Sequence, residues 1–177
     1  MSSADRTFAR IDTALKGYLR VLPEGSLRPL FNASPAASGP QLSEAAQDAL
    51  PDGLVQYLRS MNEKLNSILA LLTQQSLQED FPATVLIHDI SGAGLRFSAD
   101  RDFRLGQAVE VVVALGNQPQ NLAGTTGVLI REEEHRGHKV WALEFREMRE
   151  AEREKIVQFV VDRQREQLRE RHLSPSS

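Results

Sequence analysis

The sequence predicts a mainly β fold with helices, an antiparallel barrel interrupted by one long helix and followed by a second. Three observations carry this. Residues 11–22 place Ile11, Thr13, Leu15, Leu19 and Val21 at period two. From Pro51 the spacing changes to a heptad rhythm. After Asp80, short β-branched runs bounded by Gly, Asn and Asp recur at close intervals. Such runs suit an antiparallel barrel better than a parallel α/β sheet.

The first run, "IDTALKGYLRVL", is a half-buried strand by its alternation, although Gly17 weakens the pattern. The next stretch, "PEGSLRPLFNASPAASGPQ", is dense in Pro, Gly, Ser and Ala and has no helical stripe. It is expected to be a linker, assigned to residues 23–50.

In residues 51–80, Leu54, Leu58, Met61, Leu65, Ile68 and Leu72 are spaced 4, 3, 4, 3 and 4 apart. That is a heptad seam with Leu58, Leu65 and Leu72 at a, and Leu54, Met61 and Ile68 at d. Pro51 suits the start of a helix, and Asp52 complements the positive end of its dipole. Such a stripe serves either packing on its own domain or assembly between chains. Val55, Leu69 and Leu71 widen it beyond what a two-stranded coil needs, and Leu at a with Ile at d leans toward higher order. The expectation is a homo-oligomer, a tetramer favoured, with help from the globular part because three heptads alone are marginal.

Beyond Asp80, "FPATVLIHDI", "GLRFSA" and "QAVEVVVALG" read as three strands. Val128–Arg131 and Lys139–Phe145 read as a hairpin with a charged tip. The last stretch places Ile156, Phe159, Val160 and Arg163 on one helical face among alternating Glu and Arg. The barrel with its terminal helix is thus assigned to residues 1–22 and 81–177.

Composition narrows the function classes. A chain of 177 residues with 41% hydrophobic content can bury a core, and 6% aromatics place that core on Leu, Val, Ile and Ala. The net charge of −3 gives no global attraction to nucleic acid or anionic membrane, so an anionic ligand needs a local arginine cluster. The absence of cysteine excludes disulfides, thiolate metal sites and a cysteine nucleophile. No stretch reaches the ~18–20 apolar residues of a membrane span, and the N-terminus lacks a signal-like apolar region. A soluble, cytoplasmic protein is expected.

Two motifs carry the candidate chemistry. "DISGAG" fits D-x-S-x-x-G, with Asp89 able to accept from ligand N–H groups, Ser91 able to donate or accept, and Gly94 allowing close backbone approach. Alone it reads first as a glycine-rich β-turn with an Asx contact. "RTFAR" places Arg6 and Arg10 just before the first strand. His135 and His138 in the hairpin tip have no evident third ligand, so a solvated turn is expected and no metal site. Arg165 and Arg169 belong to a solvated ion-pair face. No nucleophile triad, phosphate loop or metal cluster is apparent, so no enzyme and no cofactor are expected.

Together, "RTFAR" and "DISGAG" resemble the PilZ family of cyclic di-GMP receptors. The resemblance implies a six-stranded antiparallel barrel with a C-terminal helix. It also implies a ligand with two phosphodiesters and two guanines, clamped by Arg6 and Arg10, with Asp89 and Ser91 fixing a base and Gly94 permitting close approach. Arginine suits this because one guanidinium can pair with phosphate, pair with guanine, or stack on its plane. The 79 positions between Arg10 and Asp89 exceed the family's usual spacing, and the inserted helix resembles the atypical, tetrameric PilZ variety. Asp5, before Arg6, implies one cyclic di-GMP per subunit. Before ligand the N-terminal arm is expected to be mobile. The implied function is a cyclic di-GMP receptor or adaptor whose surface changes on binding, its downstream partner being unspecified. The rival is a PilZ-like oligomeric scaffold that binds no nucleotide.

Overall fold

The computed structural model describes residues 9–31, 49–116 and 121–173. Six antiparallel strands close a barrel in the order β1-β2-β3-β6-β5-β4. They are β1 (Arg10–Val21), β2 (Ala83–Ser91), β3 (Gly94–Ala99), β4 (Ala108–Ala114), β5 (Leu122–His135) and β6 (His138–Glu147). Helix α1 (Asp52–Asp80) is inserted between β1 and β2, and helix α2 (Glu150–Leu173) follows β6.

Alternation decides which residues fill the barrel. Ile11, Leu19, Ile87, Phe97, Val111 and Trp141 are fully or nearly fully buried in one core. Ile156 and Val160 of α2 join that core, which accounts for the apolar face of an otherwise charged helix. Gly17 fits this interior: a Cβ there would lie 2.9 Å from Ile87 Cδ1 and Val85 Cγ2, so the glycine lets β1 pass close to β2. Val21, expected on the buried face, is 40% exposed at the end of its strand.

The continuous apolar run of β4 has a second cause. Val111 and Val113 point inward, while Val112 points outward and is still buried, beneath Tyr18, Leu77, Phe81 and Leu122. The root of α1 thus packs on the outside of the barrel. Among the described residues of α1, only Leu77 is buried. The six seam residues stay largely exposed, from 41% at Leu58 to 59% at Leu72, and none belongs to the buried clusters of the barrel.

Glu110 interrupts that β4 run and is fully buried. Its register partner is Arg20 of β1, whose Nε donates to Oε2 at 2.6 Å. The backbone N–H of Leu30 donates to Oε2 at 2.9 Å and that of Phe31 to Oε1 at 2.7 Å. Part of the segment expected to be a linker is therefore strapped to the barrel wall.

Strands β5 and β6 extend to the very tip of their hairpin, further than the apolar pattern indicated. Arg136 and Gly137 adopt φ of 51° and 76°, the positive pair that a two-residue type I′ turn requires. Lys139 of β6 pairs near the tip with Glu132 of β5 at 3.3 Å.

Two register breaks matter for the surface. The β2–β3 pairing slips between Ile87 and Asp89, and the β5–β6 pairing slips between Leu129 and Arg131. Each extra residue reverses the in–out phase, as a β-bulge does. The result turns Asp89 and Arg131 outward on strands whose preceding residues, Ile87 and Leu129, point inward.

Candidate functional site

The turn Ser91–Gly94 joins β2 to β3 and is held by its own groups. Ser91 Oγ accepts from the Ala93 N–H at 3.3 Å and donates to the Gly94 carbonyl at 3.2 Å. A Cβ on Gly94 would collide with the carbonyl oxygen of Leu143. The close approach that this glycine permits is therefore that of β6. Its φ is not in the left-handed region, where the described glycines are Gly25, Gly106 and Gly137.

Beside the turn, Asp89 anchors a network of charges. Its side chain is 1% exposed, and Arg96 Nε donates to Oδ2 at 2.5 Å. Arg10 Nη1 stands 3.1 Å from Oδ1, close enough for an ion pair, but the angle leaves Oδ1 without a hydrogen bond. Arg96 also donates through Nη1 to Glu133 Oε2 at 3.2 Å, and Arg131 Nε pairs with the other Glu133 oxygen. Burial opposes the Arg96 charge, but its bonds to Asp89 and Glu133 outweigh that and raise its pKa. Burial likewise opposes ionisation of Glu133, while Arg131 and then Arg96 outweigh it and lower its pKa.

Asp12 is the register partner of Asp89, so the patch sets Asp12, Asp89 and Glu133 against Arg10, Arg96 and Arg131. Next to it, His88 Nε2 shares a hydrogen bond of 2.8 Å with Ser98 Oγ, and its ring centroid lies 6.4 Å from that of His135. Burial, reinforced by His135, holds the His88 pKa below its ordinary value.

The fold thus brings Arg10, Asp89, Ser91 and Gly94 to one surface at the β1–β2 seam, although 79 positions separate Arg10 from Asp89 in sequence. Arg6 lies outside the described residues. Arg96, Arg131 and Glu133 are the members that the motifs did not reveal. For Arg96 the signal is present in "GLRFSA", where Leu95 and Phe97 point inward and leave Arg96 facing out. His135 and His138 are register partners beside the type I′ turn. Among the described residues no cluster of three or more His, Asp or Glu side chains has a metal-binding arrangement. No described helix is long and apolar enough to cross a membrane.

Comparison with curated proteins finds no match. Among solved structures, the chain is similar to the inhibitor of motility MotI/DgrA of Bacillus subtilis. The identity is 14% and the TM-score 0.52, over 91% of this chain and 51% of that one. It therefore spans about half the length of that protein. It is also similar to a tetrameric PilZ domain protein of Xanthomonas campestris, described as self-assembled via a helical bundle. There the identity is 17% and the TM-score 0.55, over 93% of this chain and 92% of that one. The PilZ domain of Escherichia coli YcgR, solved with c-di-GMP, aligns at 13% identity and a TM-score of 0.44, over 52% of this chain and 79% of that one. The PilZ domain profile matches residues 62–162, which is 101 of 177 residues and takes in β2 to β6. With β1 completing the closed barrel, the chain belongs to the PilZ domain family.

Proposed function

We propose that this PilZ protein is a non-enzymatic, cytoplasmic cyclic di-GMP receptor that acts as an oligomeric adaptor. The observation that carries the reading is the ion pair between Arg10 and Asp89, the two motifs meeting at 3.1 Å across the β1–β2 seam. Arg10 and Arg96 retain 43% and 29% side-chain exposure, so both guanidinium groups can reach a ligand on the outer wall. Asp89 acts by orienting those two arginines, since its own carboxylate is buried between them. Arg6, four residues before Arg10, is the second clamp of the motif. Ser91 and Gly94 shape the turn against which the base lies. Ligand bound across the seam changes the charge and shape offered to a protein partner.

Assembly is assigned to α1, with residues 51–80 as the oligomerising unit, residues 23–50 as its connection, and the barrel as the sensing unit. The exposed seam and the helical bundle of the Xanthomonas relative support a tetramer. Four barrels on one bundle present four binding faces to a partner, which raises avidity. The acidic residues interleaved along α2 argue against nucleic acid as that partner.

A scaffold that binds no nucleotide is the second reading, favoured by the Ser91 hydroxyl staying within its turn and by Arg96 holding Asp89. Isothermal titration with cyclic di-GMP separates the two. The receptor gives a saturable heat with one ligand per chain, lost in Arg10→Ala and kept in Arg169→Ala. A folded sample at tens of micromolar that gives no heat leaves the scaffold.

A further inference from the structure

We infer that Glu133 is an internal counter-anion occupying the position of a ligand phosphate, and that Arg96 and Arg131 bind that phosphate once Glu133 leaves. This rests on the receptor reading and extends its site by two strands.

The placement follows from the register. Strand β6 lies between β3 and β5, and its Ala142 is the partner of Arg96 on one side and of Arg131 on the other. Ala142 points outward, because Trp141 and Leu143 on either side of it face the core. A small residue there leaves the two guanidinium groups facing each other across one strand. Glu133, two positions after Arg131 on the same face, gives one oxygen to each. A phosphodiester offers the same pair of oxygens, and a guanidinium fork matches either group.

Asp89 and Glu133 differ in how readily they can be replaced. Asp89 is sealed in the wall, but Glu133 is 29% exposed on the strand leading to the hairpin tip. Exposed ion pairs contribute little to stability. An incoming phosphate therefore displaces Glu133 at small cost and leaves the Asp89 bonds intact. The charge balance points the same way. With Asp12, Asp89 and Glu133 facing three arginines, the described patch carries no net positive charge for a doubly anionic ligand. Moving Glu133 aside supplies one.

The test compares wild type, Glu133→Gln, Arg131→Ala and the double variant, with Trp141 fluorescence confirming the fold of each. Two probes are used: cyclic di-GMP by titration calorimetry, and inorganic pyrophosphate by thermal shift. Glu133→Gln should bind cyclic di-GMP about three- to fivefold more tightly, the worth of one exposed ion pair. It should also show a larger pyrophosphate-induced shift. Arg131→Ala should weaken both responses and cancel the gain in the double variant. Unchanged or weaker binding of both probes by Glu133→Gln overturns the assignment. If pyrophosphate discriminates the variants while cyclic di-GMP binds none of them, the receptor reading falls and the counter-anion stands.

Discussion

Replacing Glu110 by glutamine tests the strap that ties the barrel to the root of α1. The carboxylate accepts three hydrogen bonds: Arg20 and Leu30 on Oε2, and Phe31 on Oε1. Glutamine keeps the shape and one acceptor, so Oε1 at the Oε2 position can still serve Arg20 and Leu30. Its amino group then meets the Phe31 N–H, donor against donor. One charge-assisted bond is lost, worth about 1.5–3 kcal/mol, and the bond to Arg20 loses half its charge. Release of the strap to water limits the total, because Phe31 is only half-buried and its freed amide can turn to solvent. The expected cost is about 2 kcal/mol, or roughly 4–8 °C in melting temperature for a chain of this size. Urea unfolding followed by Trp141 fluorescence, at fixed protein concentration, measures the global loss. Amide exchange at Leu30 and Phe31 measures the local one, and protection there should fall about 30-fold. A stability change below about 0.5 kcal/mol with unaltered protection at both amides would refute the reasoning.

Two further outcomes are expected. On the proposed assembly through α1, Leu65→Glu puts a charge at a central a position and should give monomers in light scattering where the wild type gives an oligomer, leaving the helical circular dichroism of the barrel-bound α2 in place. An unchanged mass, or a monomeric wild type, removes α1 from assembly. Acidification should weaken the fold in two steps. His88 has a folded pKa below its ordinary 6.5, so the unfolded chain takes up the proton first and stability falls as pH drops through 6.5. Glu133, also lowered, contributes stability above its ordinary 4.5 that disappears as pH falls through its folded value. Urea midpoints between pH 7.5 and 5.5 isolate the first step, and His88→Gln should flatten it.

Periodicity made most of the fold legible. Heptads placed α1, alternation placed β1, and short β-branched runs placed β2, β3, β4 and β6 to within a few residues, while of β5, Leu122–His135, only the apolar middle Val128–Arg131 was legible. The site was only half legible. Arg10 and Asp89 stood in recognisable motifs, but Arg131 and Glu133 reach the same surface through the break after Leu129. A single extra residue reverses every side chain after it, and no local pattern announces where that happens. Glu110 had left a trace: an acid inside "AVEVVVA" has to find a partner when buried. Its partners, Arg20 and the Leu30–Phe31 backbone, are 90, 80 and 79 positions away, beyond the reach of any window.

The insertion of α1 also makes the pairing of β1 with β2, which closes the barrel, a long-range one. Strands β1 and β2 are neighbours, yet residues 22–82 separate them, whereas hairpin turns join β2 to β3 and β5 to β6. Closing a loop of that length costs about 2 kcal/mol more entropy than closing one of about six residues. Non-local pairing of this kind is slow compared with local hairpins. Until β1 returns, the sheet is open, with β2 and β4 as bare edges that invite pairing with other chains. The Arg10–Asp89 contact lies across this seam. A ligand gripping both sides of it would therefore act as a latch, slowing the escape of β1 and shielding the edges that an open barrel leaves bare.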